Sequence, residues 1–505
     1  MKKPSTIFCF NILCWGVSLL ASDKPNILFI AIDDLKPTLG AYGHALATPA
    51  IDRIAAKGTT FLNAHCQQAV CGPSRASVLT GKYPDFTKVW DLKTKIRTIH
   101  PEITTLNQYF KNNGYHSVGV GKIFDPRSVD KGADTRSWSE PFTQNWHLKY
   151  NSKTGKPVGH YHNAKSRSFA GNNSNNWNTL NKQLFANDAW PAVEAIDVPD
   201  DAYDDGAIGA HAVKKLAKLA KRKEPFFFSV GFKKPHLPFV APKKYWDLID
   251  PEKIEISSTT KAPLGTPRYA VHNFSELRSY NGIPTSGAVD TDTQRILIHG
   301  YYACVAYIDA QIGKILDELK KQKLAENTII ILWGDHGWHL GDHGLWCKHT
   351  NFEQATRVPL IISIPNGIQQ VTTMPTELVD LFPTLCELSD LTVPKYLDGI
   401  SLAPLIQGND LSEPPRLYAI SQFPKGTRMG YALRDERYRY ISWYETSGIG
   451  AQPNRRIDAT ELYDYKMDPL EQRNLVNDQK YKKTVLQLSA ELNNFFTRFK
   501  VNKFK

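Results

Sequence analysis

The chain has 505 residues, of which 41% are hydrophobic, and it carries a net charge of +12. That length suggests more than one structural unit, and the composition supplies a large core. No apolar run after residue 20 is long enough to cross a bilayer, which excludes a stable membrane span.

Taken in chain order, residues 1–22 read as a signal peptide. Lys2 and Lys3 form a basic start, Ile7 to Leu20 is apolar, and Ala21 and Ser22 are small residues at a cleavage point. The apolar run is short for an uncleaved anchor. Leu13 before Cys14 argues against a lipoprotein, so an exported protein, periplasmic or secreted, is expected. Export bears on the charge. A basic surface favours an acidic partner, but export argues against nucleic acid, and no basic helix or RNA-binding signature is present. Sulfated or carboxylated polysaccharide is the sharper candidate, beside the plain reading of scattered surface lysines.

Five apolar runs read as buried strands: NILFIAI (26–32), HSVGVG (116–121), FFFSVGF (226–232), TIIILW (328–333) and PLIISI (359–364). Each is apolar on both faces, as in a sheet covered by helices on each side. Between them, Thr48-Pro49 opens a helix that Gly58 ends, and Thr104 opens another that Gly114 ends. Cys71 starts a further helix with Pro73 in its first turn. Residues 295–320 and 377–390 also read as helical. The alternation predicts an α/β sandwich with a mostly parallel sheet. Residues 127–200 show little periodicity. Their Trp138, Trp146, Trp177 and Trp190 either stack on sugar rings or pin the segment to the body. A smaller α+β domain is expected over 410–505, with YALRDERYRYISWY (431–444) as an alternating strand pattern and a last helix over 479–498. The expected division is 1–22, a catalytic unit over 23–409, and 410–505.

Ligands of open α/β sheets bind beyond the carboxyl ends of the strands. Asp33 and Asp34 follow the first run, Lys122 the second, Lys233 and His236 the third, and Asp335 and His336 the fourth. His339, His343, Lys348 and His349 come shortly after. One such strand end would be ordinary helix capping; four together point to a site. Three carboxylates converging on one point repel unless a cation sits among them, and an oxygen-rich set favours calcium or magnesium. The run DHGWHLGDHG could instead suggest zinc, but it lacks the HExxH pattern, and several of its histidines are expected to be structural. Arg75, Lys122, His236 and Lys348 supply positive charge and donors, as transfer of an anionic phosphoryl or sulfuryl group requires. A helix beginning at Cys71 also favours an anion.

Five cysteines follow the signal: Cys66, Cys71, Cys304, Cys347 and Cys386. An odd count leaves at least one without an internal partner.

CGPSRASVLTG (71–81) resembles the C-x-P-S-R-x-x-x-L-T-G signature of the type I, formylglycine-dependent sulfatases. TPAIDRIAAKGTTFLNAHCQQAVCGPSR, GVGKIFDP, KKPHLPF, DHGWHLGDHGLWCKHTNFEQATRVPLI and ELYDYKMDPLEQRNL are closer to the iduronate-2-sulfatase subfamily than to the arylsulfatases. The resemblance implies an alkaline-phosphatase-like fold. It also implies a formylglycine-generating maturation enzyme that oxidises Cys71 to Cα-formylglycine, and a sulfated carbohydrate as substrate. Asp33, Asp34, Asp335 and His336 resemble the calcium ligands, completed by residue 71. Arg75 resembles the arginine that steadies the hydrated aldehyde. Lys122, His236 and Lys348 resemble the groups that bind sulfate and help the leaving oxygen depart. The implied reaction is attack of the hydrate on sulfur, then base-assisted expulsion of sulfate. One position departs: where the family carries a histidine after the GK segment, GKIFDP has Asp125. It could act as the base, pair with a lysine, reshape the pocket, or be a turn residue before Pro126. A phosphoester or phosphonate hydrolase, and a polysaccharide-binding homologue impaired in catalysis, remain the competing readings.

Overall fold

The computed structural model describes residues 24–144, 148, 161–170, 177–409, 411–448 and 453–501. The expected signal peptide, Trp146 and the side chain of Trp177 lie outside the described residues.

The central sheet has seven strands: β1 (Asn26–Ile32), β2 (Gly58–Phe61), β3 (His116–Gly121), β4 (Phe226–Phe232), β5 (Thr328–Gly334), β6 (Leu360–Ser363) and β7 (Gln370–Thr372). Their spatial order is β7-β2-β6-β5-β1-β4-β3. The pairs β3–β4, β4–β1, β1–β5 and β2–β7 are parallel, and only β6 runs against its two neighbours. The sheet is therefore mostly parallel. The five apolar runs form the contiguous stretch β6-β5-β1-β4-β3, which reaches one edge of the sheet. β2 and β7 were not expected: GTTF holds one large apolar residue, and QVT is a partly exposed edge. Gly58, expected to end a helix, opens β2, because the helix stops at Ala55.

Side chains of β1 alternate between two cores. Leu28, Ile30 and Ile32 pack with α1 (Pro49–Ala55). Ile27, Phe29 and Ala31 pack with α2 (Cys71–Thr80) and α3 (Leu106–Asn112). The helices α4 (Asp204–Leu219) and α5 (Thr291–Lys321) join the first face, and α6 (Leu381–Leu388) the second. Each large side chain so buried contributes about 1.5–3 kcal/mol, which is why the strands read as continuous apolar runs rather than alternating ones. β3 and β4 approach closely where Gly121 faces Gly231. A Cβ on Gly231 would lie 2.0 Å from the Lys122 carbonyl oxygen, so only glycine lets the chain deliver Lys122 at that strand end.

The C-terminal domain is an antiparallel meander of β8 (Ala419–Lys425), β9 (Arg428–Arg434), β10 (Tyr438–Thr446) and β11 (Pro453–Asp464). The stretch 431–444 is thus two strand segments, the end of β9 and most of β10, joined by a hairpin turn in which Asp435 accepts from the amides of Arg437 and Tyr438. Helix α7 (Lys482–Val501) covers one face through Leu488, Leu492 and Phe495. The other face presents Ala432, Ile441, Trp443 and Tyr463 to Ala270, Leu345 and Phe352 of the main body. Arg439, wholly buried, donates to the carbonyl of Asn351 at 2.7 Å and pairs with Glu353 and Glu471. The meander therefore braces the segment just after Lys348.

Within 127–200, the described tryptophans are structural. Trp138 packs on Phe142 at 4.8 Å and donates to Ala133 O, and Trp190 stacks flat on Tyr280 at 5.5 Å. The five described cysteines are all buried and unpaired. No helix among the described residues is long and apolar enough to cross a membrane.

Candidate active site

The carboxyl ends of β1 and β5 lie side by side. The amide of Asp335 donates to Ile32 O, and the amides of Asp34 and His336 both donate to Asp335 Oδ1 at 3.0 Å. Asp34 has φ +61, a left-handed conformation that a non-glycine residue adopts at a cost of roughly 1–3 kcal/mol. Lys348 lies between two further left-handed residues, Cys347 at φ +72 and His349 at φ +73. Strained backbone thus sits on both sides of the same buried point.

Cys71 opens α2 at that point. Its Sγ is 3.2 Å from His336 Nε2 and 3.9 Å from Asp34 Oδ1. Burial, with Asp33 close by, pushes the thiol well above its usual range. The sulfur is therefore protonated at neutral pH, unlike the low-pKa thiolates that work as nucleophiles.

Arg75, one turn further, has no exposed surface. Nε donates to Asp335 Oδ2 at 2.9 Å and Nη2 to Asp33 Oδ1 at 3.1 Å. Nη1 donates to the carbonyls of Lys122 and Ile123. Four of its five N–H groups are thereby committed to the protein. Lys122 Nζ lies 2.6 Å from Asp33 Oδ2, and Lys348 Nζ lies 3.0 Å from Asp34 Oδ2 and 4.8 Å from the Trp338 ring centre. Burial would raise Asp33, but Lys122 and Arg75 outweigh it and hold the carboxyl well below the ordinary range. Asp34 goes the other way: burial and the neighbouring carboxylates push it up against Lys348.

The donor set fits a cation. Ligand atoms of Asp33, Asp34, Cys71 and His336 lie within 4.8 Å of one another, all buried. His336 Nδ1 faces Gly337 O at 3.1 Å, a carbonyl that only accepts, so Nδ1 carries the hydrogen and Nε2 the lone pair. That lone pair faces Asp34 Oδ1 at 3.2 Å and Asp335 Oδ2 at 3.7 Å, an arrangement that calls for a positive charge between them. Asp335 stands at the edge of this cluster, with Oδ2 3.7 Å from His336 Nε2, and its oxygens also accept from Arg75 and two amides.

His236 reaches the same place from the loop after β4, with Nε2 3.9 Å from Asp34 Oδ2. Lys233, at the same strand end, turns away to Asp204. His339 and His343 bond Thr350 and Leu470 O and serve the fold. Of the roles open to Asp125, the structure shows pairing with cations, closely with Arg127 and at longer range with Lys122. Arg127 donates Nε to Oδ1 at 2.9 Å and Nη2 to Oδ2 at 2.8 Å, and its amide also reaches Oδ1. Lys122 stands 4.0 Å away. Burial would raise Asp125, but Arg127 and Lys122 bring it below the ordinary carboxylate range.

The sequence reading missed Glu276. It arrives from the long segment between β4 and α5 and does not directly follow a strand, so the strand-end rule had no means of finding it. Arg127, inside a segment without periodicity, was missed too.

A buried residue at a helix N-terminus, facing carboxylates and fixed cations, suits sulfuryl or phosphoryl transfer alike, as expected of a hydrolase of anionic esters on the alkaline-phosphatase-like fold. Comparison with known proteins narrows this. The chain belongs to the sulfatase family and is a sulfuric ester hydrolase: the family model described as Sulfatase matches residues 25–391, and one described as N-sulphoglucosamine sulphohydrolase, C-terminal, matches 341–498. The iduronate 2-sulfatase of Mus musculus is 33% identical, covering 94% of this chain and 95% of its own. A sulfatase of Formosa agariphila is 32% identical over 93% of this chain and 86% of its own. Among solved structures, a 2-O GAG sulfatase superposes with a TM-score of 0.66 at 24% identity, covering 95% of this chain and 93% of that chain. The phosphonate monoester hydrolase of Agrobacterium radiobacter superposes with a TM-score of 0.70 at 22% identity, covering 94% and 96%. These two structures establish the shared fold.

Proposed function

We propose that this chain is an exported sulfatase, with its signal at 1–22, that hydrolyses sulfate esters of a sulfated sugar or polysaccharide, as iduronate 2-sulfatases do. The observation that carries the reading is the placement of Cys71. The thiol is at a helix N-terminus, among carboxylates and cations, yet held protonated. It is badly suited to act as a thiolate and well placed as the precursor of another group.

Oxidised to formylglycine by a maturation enzyme and hydrated, residue 71 would supply the oxygen nucleophile, with a calcium ion held by Asp33, Asp34, Asp335, His336 and residue 71 screening charge on the sulfuryl oxygens. The chain's own residues do the rest. Lys122, held beside Asp33, and Lys348, held beside Asp34, bind the anionic group, and the N-terminus of α2 adds its dipole. Arg75 holds Asp33 and Asp335 in place and has one N–H left to steady residue 71. His236 Nε2 faces the site and exchanges a proton with the leaving oxygen. Asp125 keeps Arg127 beside Lys122. The catalytic unit over 23–409 and the C-terminal unit over 410–505 act together, because the second braces the Lys348 segment.

A second reading, phosphoester or phosphonate hydrolysis, draws support from the fold shared with the phosphonate hydrolase. A release screen on glycosaminoglycan and algal oligosaccharides of defined linkage, run beside phosphate and phosphonate monoesters, separates the two. Sulfate release from one linkage with phosphate esters left intact is the expected result. Preferential phosphate release would overturn it.

A further inference from the structure

Glu276 is a partly buried carboxylate to which neither the sequence pattern nor the reaction outlined above gives a task. Its Oε1 lies 3.1 Å from Lys348 Nζ and 3.2 Å from His236 Nε2. A single oxygen thus joins the two groups set to handle the sulfuryl group and the leaving oxygen. The turn that carries it is firmly held. Phe274 and Leu277 are buried on either side, Arg278 lies over the Phe274 ring at 3.9 Å, and Tyr280 stacks on Trp190. His236 Nδ1 donates to Leu237 O at 2.6 Å, so Nε2 donates to Glu276 only when it carries the proton that His236 passes to the leaving oxygen. Lys348 has three donors. Asp34 takes part of them here, but Asp34 also belongs to the candidate cation cluster, and a cation there competes for its oxygens. Ligand atoms of Glu276, Asp34 and His236 lie within 4.8 Å of one another, so Glu276 stands beside Asp34 and can hold Lys348 when a cation draws on the Asp34 oxygens.

We propose that Glu276 is a positioning residue that holds Lys348 and His236 in register on the leaving-group side of the site. The proposal rests on the sulfatase reading. Loss of a partner that orients a working side chain typically costs about 10–100-fold in activity. Because Glu276 acts through the groups that serve the departing oxygen, its loss should weigh most on poor leaving groups.

The test uses the mature full-length protein and a series of aryl sulfates from p-nitrophenyl to phenyl sulfate, in order of rising phenol pKa. Glu276→Ala should lower kcat about 10–100-fold on phenyl sulfate, change p-nitrophenyl sulfate far less, and leave KM nearly unchanged. Glu276→Gln, which retains an acceptor for Lys348, should recover much of the loss. A crystal structure of Glu276→Ala should show Lys348 and His236 displaced. An equal loss across the series, unmoved Lys348 and His236, or loss of bound calcium would each overturn the proposal; the last would make Glu276 a metal ligand. Wild-type protein that cleaves phosphate esters in place of every aryl sulfate would count against the sulfatase reading, while the crystallographic arm would still decide the positioning role.

Discussion

Replacing Arg75 by methionine isolates the charge balance of the site. The side chain is wholly buried and donates to two buried carboxylates and two carbonyls. Removing one partner of a buried ion pair costs about 3–5 kcal/mol. Here the lower part of that range applies. Asp33 keeps Lys122 at 2.6 Å, and Asp335 keeps two backbone amides. Against a total stability of about 5–15 kcal/mol, a loss near 3 kcal/mol is large. At roughly 2 °C per kcal/mol for a long chain, the melting temperature should fall by on the order of 6 °C. Thermal unfolding followed by circular dichroism at pH 7 measures it. A companion variant, Arg75→Met with Asp335→Asn, should recover part of the loss, with a coupling of about 0.5–3 kcal/mol. The pH dependence has a definite sign. Asp33 is held below its ordinary value, so its share of the stabilisation is present above about pH 4 and is lost as pH falls through the depressed value. The gap between wild type and Arg75→Met should therefore narrow in acid. If Arg75→Met melts within a degree of wild type at pH 7, Arg75 does not balance these carboxylates.

Mass spectrometry of protein from a host with the maturation machinery should find formylglycine at residue 71, and Cys71→Ala should abolish turnover with the melting temperature nearly unchanged; a free thiol in fully active protein would refute this. Metal analysis should find about one equivalent of calcium, and Asp34→Asn should lower metal content and activity together; stoichiometric zinc would contradict the assignment. Asp125→Ala should slow turnover by less than the roughly 10²–10⁴-fold of a lost general base, because Arg127 holds both oxygens, and a burst of desulfated product before slow turnover would show the reverse. Asp309, which accepts from the amides of Ala50 and Ile51, is raised by burial to about 6. Its stabilisation is present below the ordinary carboxylate value and is lost as pH rises through about 6, so Asp309→Asn should flatten the fall in melting temperature between acid and neutral pH.

The five apolar runs were legible because burial on both faces leaves an uninterrupted pattern. β2 and β7 were not, because GTTF and QVT are short, and threonine suits strand and loop alike. The strand-end rule found Asp33, Asp34, Lys122, His236, Asp335 and His336, since a parallel sheet brings those ends together whatever lies between. It had no purchase on Glu276, whose position depends on packing around Phe274, Leu277 and Tyr280. The pairing of Asp125 with Arg127 was equally out of reach: the sequence puts them two residues apart but does not say which way either side chain turns. Trp138 and Trp190 show the opposite limit, since composition alone could not separate a sugar platform from a buried anchor.

The grip of Arg439 on Asn351 and Glu353 bears on any attempt to trade modules between relatives. A chimaera that joins a foreign C-terminal meander to this body would import a different partner for the stretch carrying Lys348. The new seam would lie at the chemistry even if the splice were made near residue 410. A graft that keeps residues 345–353 and the strand bearing Arg439 from the same parent would move that seam to the face covered by α7, where mismatch would loosen packing and leave the candidate cation cluster intact.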